Sequence, residues 1–169
     1  MKLSSDTNIW VDFQTINALN LPFYLSHDFY MSNEAVIDEM LSPVGKDTLK
    51  YGLEPVHITD DEFFYAMELM RKYSKLSKYD SIALSMAKHR GDNLLTGDGR
   101  LRKAAYDEGV EVKGTLWVLD EMLSENVIDD VEYLGYLEEI EKYNGRQIRL
   151  PAKEIEFRKS TILQERKSV

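Results

Sequence analysis

Residues 93–101, Asn93-Leu94-Leu95-Thr96-Gly97-Asp98-Gly99-Arg100-Leu101, pass from a strand through a tight turn into a helix. The apolar pair suits a buried strand, and an acid held between two glycines suits a sharp reversal. A strand that hands over directly to a helix is the unit of an α/β protein with a mainly parallel sheet. Its turn lies at the C-terminal end of the strand, the edge where such sheets bind ligands. Asp98 is therefore a candidate functional residue, although a turn or a helix N-cap also accounts for an Asp there.

Outward from this run, short apolar stretches alternate with helical ones. Lys2–Ser5 reads as the first strand and 10–19 as a helix stopped before Pro22. Residues 29–32 read as the second strand. A helix over 34–41 follows, with Val36, Ile37, Met40 and Leu41 on one side, ended by Pro43. Residues 56–59 read as the third strand. Asp60, Asp61 and Glu62 then acidify a first helical turn, and Phe63, Phe64, Met67, Leu69 and Met70 carry an apolar stripe to about Lys75. Ser77-Lys78-Tyr79-Asp80 has capping-box spacing, with Asp for the usual Glu, and opens a helix that runs to Gly91. Residues 93–96 form the fourth strand and 110–112 the fifth. Helices are expected at about 116–123 and 131–143, ahead of a basic segment. No repeat, low-complexity stretch or Gly/Ser linker divides the chain, which implies one domain.

With 169 residues and 43% hydrophobic content, the chain can bury a core unaided. It has no cysteine, which excludes disulfides, thiolate zinc sites and cysteine nucleophiles. No apolar run resembles a secretory signal or is long enough to span a bilayer, so the cytoplasm is the expected location and no membrane partner is expected. The net charge of −9 divides unevenly: residues 145–169 carry seven Lys/Arg and three Asp/Glu, a net +4, leaving −13 on residues 1–144. Affinity for phosphate backbones rests on such basic stretches. His27, His57 and His89 are not spaced as a metal set, and His89 beside Arg90 reads as a solvated helix end. Ser4, Ser5 and Ser32 lack the context of a catalytic triad, and no Gly-x-x-x-x-Gly-Lys phosphate loop is present.

Asp6 follows the first strand, Asp98 the fourth, and Asp80 opens a helix, so acids far apart in sequence can converge at one sheet edge. Each also has a local explanation: Asp6 as cap of the helix after Thr7-Asn8, Asp80 as capping-box partner, Glu39 as a solvated helix-edge residue. Taken together, the segments resemble the PIN-domain family over nearly the whole chain. Ser5-Asp6-Thr7-Asn8-Ile9 resembles its opening Asp-Thr-Asn segment, and residues 32–41 its strand–helix segment ending in Glu-Leu. Residues 76–83, Leu-Ser-Lys-Tyr-Asp-Ser-Ile-Ala, resemble its third acidic motif, and Leu94–Leu101 its fourth. Ala104-Ala105 and 109–114 resemble its closing helix and strand. Glu34 and Asp38 compete with Glu39 for the second acid, and Glu39 is preferred because Met40-Leu41 follows it. Arg100 stands where some relatives place another acid.

The resemblance implies a single α/β domain of three α/β/α layers around a five-stranded parallel sheet ordered three-two-one-four-five. It implies an Mg²⁺- or Mn²⁺-dependent endoribonuclease in which Asp6, Glu39, Asp80 and Asp98 hold the cations. Asp6 and Asp98 are the expected direct ligands, Glu39 and Asp80 bind directly or through water, and Asn8 and Thr96 orient the carboxylates. Arg100, Arg102 and Lys103, which follow Asp98, are expected to grip the RNA backbone. Residues 1–144 would be the nuclease domain, and 145–169 a basic segment that packs or binds a partner. The family has a large branch of toxins from toxin–antitoxin pairs, inhibited by an antitoxin peptide over the acidic site, and the single-domain size fits that branch. RNA, an antitoxin protein and a second copy of the chain are thus the expected partners. Other readings are a nuclease of RNA maturation or decay without an antitoxin, and a non-catalytic scaffold. An aspartyl-nucleophile phosphatase is more distant, since Asp6-Thr7-Asn8 lacks the second Asp two residues on.

Overall fold

Alternation along the strands assigns their side chains to two faces of one sheet. The computed structural model describes residues 1–40 and 44–168. Strands β1 (Lys2–Ser5), β2 (Asp28–Ser32), β3 (Glu54–Val56), β4 (Asn93–Leu95) and β5 (Val112–Lys113) form a parallel sheet in the order β3-β2-β1-β4-β5. Among the described residues nine α-helices accompany it: α1 (Thr7–Thr15), α2 (Asn33–Asp38), α3 (Val44–Tyr51), α4 (Asp60–Lys72), α5 (Lys78–Arg90), α6 (Gly99–Asp107), α7 (Thr115–Ser124), α8 (Asp130–Tyr143) and α9 (Ala152–Lys167).

Leu3, Phe29, Met31 and Leu95 share a core with α1, α7, α8 and α9, while Leu94 packs with α4, α5 and α6 and Tyr30 with α4 and α5. The result is a single α/β domain of three layers around a five-stranded parallel sheet. Trp10 anchors the first core: its ring stacks on Phe23 at 4.9 Å, meets Phe29 edge-on at 5.3 Å, and its indole N–H donates to Ser5 Oγ at 3.0 Å. Each such side chain fully buried contributes about 1.5–3 kcal/mol. On the other face Ser4 Oγ donates to the Ala83 carbonyl of α5 at 2.9 Å, so the small β1 side chains bring that helix close to the sheet. No described helix is long and apolar enough to cross a membrane.

Several boundaries differ from the sequence reading. The first helix starts at Thr7 and ends at Thr15, earlier than 10–19, because Asn17 takes a left-handed conformation (φ 57°) and residues 21–24 form a 3-10 turn. Helix α2 ends at Asp38, so Glu39 flanks it; Leu41, expected as its last residue, lies outside the described residues. The third strand is 54–56 in place of 56–59. Among the described residues it pairs only with β2, at a sheet edge that tolerates the missing N–H of Pro55, and Thr59 instead caps α4. The fifth strand moves from 110–112 to Val112–Lys113, and α4 stops at Lys72. Helix α3 was not anticipated. Nor was α9, whose Ile155 and Ile162 join the core that also holds Ile148, Leu137 and Ile140.

Candidate active site

The C-terminal ends of β1 and β4 lie side by side, and their hydrogen bonding continues past the strands: the Asp6 amide donates to the Leu95 carbonyl at 2.9 Å. This register sets Asp6 against Thr96. Thr96, fully buried, donates its hydroxyl to Asp6 Oδ2 at 2.9 Å and accepts the Asp98 amide at 3.1 Å. One hydroxyl thus fixes a carboxylate of β1 and the turn that carries the acid after β4.

Asp6 occupies the N-cap position of α1 yet its side chain makes no capping hydrogen bond. The Asn8 amide lies close enough only to favour the charged form. The local explanation available from sequence is thus met only weakly: the Asn8 amide, one that an N-cap serves, favours the charged form without a formed capping bond. Asp6 is 8% exposed, and burial pushes its carboxyl up to about 6, the Thr96 hydrogen bond partly opposing, with the charges of Asp80 and Glu39 adding to the rise. Glu39 accepts from the Thr7 hydroxyl at 2.7 Å, and its carboxyl too is raised, by burial first and then by Asp80 and Asp38. Asp80 thus stands close enough to both Asp6 and Glu39 to disfavour their ionisation.

Asp80 and Asp98 do cap helices. Asp80 forms a reciprocal box with Ser77, accepting the Ser77 amide at 2.9 Å while the Asp80 amide donates to Ser77 Oγ at 3.1 Å. Asp98 Oδ1 accepts the Arg100 and Leu101 amides, each at 2.9 Å. In both, the second oxygen carries no hydrogen bond among the described residues, as does Glu39 Oε1. Capping here holds a carboxylate still while leaving one oxygen uncommitted. Of the competing acids in α2, Asp38 accepts from the Tyr79 hydroxyl, and Glu34 Oε2 is buried without a partner among the described residues. Asn8 lines a cleft of about 300 Å³ together with Asp98.

Hard oxygen donors without any thiolate suit a hard divalent cation, and a carboxylate pushed up by burial, with neighbouring acids adding, is what such a cation would neutralise. The four acids nevertheless stand further apart than a closed cage. Among the described residues, the one set of three metal-ligating side chains with atoms within 4.8 Å of one another is His27, Glu121 and Glu125. It lies at the opposite sheet edge, since His27 precedes β2. His27 Nε2 is 2.9 Å from Glu121 Oε2 and 3.7 Å from Glu125 Oε1, and Trp117 stacks on the imidazole at 5.3 Å. Its Nδ1 is buried with no acceptor, whereas a metal-bound His nearly always passes that proton to one. This set reads as a hydrogen-bonded clasp between the residue before β2 and the C-terminal end of α7.

A family model for the PIN domain matches residues 3–159. The chain belongs to the PIN-domain family. No curated protein and no solved structure gives a significant match to it. PIN domains are generally nucleases, which places the chain among the hydrolases, and PIN nucleases usually use divalent metals. In this PIN domain, the three basic residues after Asp98 do not share one surface. Arg100 and Lys103 line a groove with Lys72 and Lys75, while Arg102 lies on the other side, donating to the Thr96 carbonyl at 3.0 Å. Asp12, which no motif singles out, is 8% exposed in mid-helix, accepts from the Thr115 hydroxyl at 2.7 Å and is pushed up to about 6 by burial. Its only sequence signal is an acid inside the apolar run Trp10–Phe13.

Proposed function

We propose that this PIN domain is an Mg²⁺- or Mn²⁺-dependent endoribonuclease acting in the cytoplasm, with Asp6, Glu39, Asp80 and Asp98 as its acids. The observation that carries the reading is Asp6: buried, placed at a cap yet not capping, and crowded by Asp80 and Glu39. A fold does not retain a buried, mutually repelling carboxylate group for stability, and such groups concentrate at functional sites. Asp6 and Asp98 would hold the cation directly, and Glu39 and Asp80 directly or through water. The cation would neutralise the scissile phosphate and acidify the attacking water. Thr96 keeps Asp6 Oδ2 occupied, Thr7 restrains Glu39, and the two helix caps hold Asp80 and Asp98 at fixed rotamers.

Purified protein is expected to cut RNA with Mg²⁺ or Mn²⁺ and to stop in EDTA. Asp6→Asn keeps the shape and removes the ligand charge, so cleavage should fall about 100-fold or more with an unchanged circular dichroism spectrum. Undiminished cleavage by both Asp6→Asn and Asp98→Asn would falsify the site. Within this class we place the chain in the toxin branch, on the family resemblance. Induced expression should arrest growth, Asp6→Asn should abolish the arrest, and continued growth under wild-type expression favours the maturation or decay role.

A further inference from the structure

The cleft that holds Asn8 and Asp98 is closed on its far side by the segment between α8 and α9, through Arg146, Gln147 and Arg149. That segment is pinned. The Asn144 amide side chain donates to the Leu150 carbonyl and accepts the Leu150 amide, both at 2.9 Å, while the Gly145 amide donates to the Ile148 carbonyl at 2.8 Å. Gly145 takes φ 83°, a left-handed turn that favours glycine, and Ile148 is fully buried as the anchor. Arg146 and Arg149 are left exposed on a rigid loop, and neither has an ion-pair or hydrogen-bond partner for its guanidinium among the described residues. Other cations near this face are committed: Arg158 to Asp120 at 2.7 Å, Lys113 to Glu111 at 2.6 Å. Past Arg149 the cleft continues into a groove of about 950 Å³ that also holds Trp117.

We propose that Arg146 and Arg149 are a phosphate clamp that holds the backbone of a nucleic-acid strand as it passes Asp98 toward the acids at the end of β1. The inference rests on the nuclease reading of that cluster. A polyanion approaching a −13 body meets repulsion everywhere except where cations stand, and bound metal ions serve only the phosphate at the cut. Neighbouring phosphates need fixed positive groups. The guanidinium fork matches phosphate oxygens two at a time, and a pinned loop loses little freedom in presenting it. A phosphate clamp reads no base, so it acts on backbone position and not on sequence.

The test uses the full chain with a short labelled RNA and a DNA of the same sequence, binding measured in Ca²⁺ and cleavage in Mn²⁺. Arg146→Ala/Arg149→Ala should weaken RNA and DNA binding alike, by about tenfold or more at moderate salt. It should reduce the slope of log affinity against log salt by about 1.4, roughly 0.7 for each single-strand phosphate no longer neutralised. KM should rise more than kcat falls, and the melting temperature should stay put because both side chains are exposed. Lys at both positions should restore most of the salt slope. Unchanged affinity and slope overturn the clamp, as does a loss for RNA alone or an equal loss in Arg100→Ala/Lys103→Ala, which would show generic charge. Cleavage with clamp-independent binding sinks the clamp alone; clamp-dependent binding without any cleavage sinks the nuclease reading alone.

Discussion

A single hydroxyl, that of Thr96, connects two acids whose motifs lie 92 positions apart in the chain. Valine has nearly the same shape, so Thr96→Val keeps the packing and removes one donor and one acceptor. Asp6 then loses the hydrogen bond that opposes its raised pKa, and the Asp98 amide is left unpaired in a part-buried turn. We expect a stability loss of about 1–3 kcal/mol. RNA cleavage should fall about 10–100-fold, as when the groups that orient ligands are removed. Thr96→Ser should retain most of both. Melts together with cleavage rates check this, and a valine variant with full activity would leave Thr96 a purely structural residue. The position of Thr96 before Gly97-Asp98 was legible in sequence; its bond to Asp6 was not, because it depends on the pairing of β1 with β4. For the same reason sequence could not say which acids are caps only: the capping-box spacing of Ser77 and Asp80 is visible, but the missing cap bond of Asp6 is not.

Among the helices, legibility followed how clearly an element advertises its period and its ends. An acidic first turn announced α4, and capping residues announced α5 and α6. Helix α9 went unread because its buried residues are essentially Ile155 and Ile162, seven positions apart amid charge, too sparse to show an apolar stripe without α8 beside it. The clamp arginines were likewise hidden: a count finds them in a basic tail, and only the packing of Ile148 and α9 turns the loop toward Asp98. Helices α4, α5 and α6 are also joined by a device invisible in sequence. Glu108, just past α6, accepts from Lys72 at 2.5 Å, Lys88 at 2.7 Å, the Tyr73 hydroxyl at 2.8 Å and the Tyr65 hydroxyl. These donors outweigh the effect of burial and hold its carboxyl well below the usual range. A depressed carboxylate contributes stability above its unfolded pKa, near 4.5, and loses it as pH falls below that. Glu108→Gln should therefore cost about 1–3 kcal/mol at pH 7. The gap should narrow progressively as pH drops below about 4.5. Denaturant titrations at pH 7 and pH 3.5 measure it, and a gap independent of pH would mean that shape, not charge, matters at this junction.

For the whole molecule, the uneven charge makes stability depend on what neutralises the acid cluster. Asp6, raised to about 6 from an unfolded value of 3.8, behaves oppositely to Glu108. Below pH 3.8 it is protonated in both states and costs nothing. As pH climbs through 6, the folded protein must either ionise a buried, crowded carboxyl or bind a proton, and stability is lost. Asp6→Asn removes that penalty, so in EDTA at pH 7.5 the variant should be more stable than wild type by about 1–3 kcal/mol, with the advantage gone near pH 3.5. For a chain of this length 1 kcal/mol moves the melting temperature by roughly 2–4 °C. Mn²⁺ should reverse the order. A cation at about one hundred times its Kd stabilises the folded wild type by about 2.7 kcal/mol and has little hold on the variant. Asp80→Asn and Asp98→Asn serve as comparisons, because each amide still accepts the capping N–H groups; they too should lose the metal response, with a smaller gain in EDTA. Thermal melts of the four proteins, in EDTA and Mn²⁺ at both pH values, give the full set. If wild-type melting ignores Mn²⁺, or if Asp6→Asn keeps the wild-type shift, the acids at this sheet edge do not form a cation site, and a non-catalytic PIN scaffold becomes the better account of the chain.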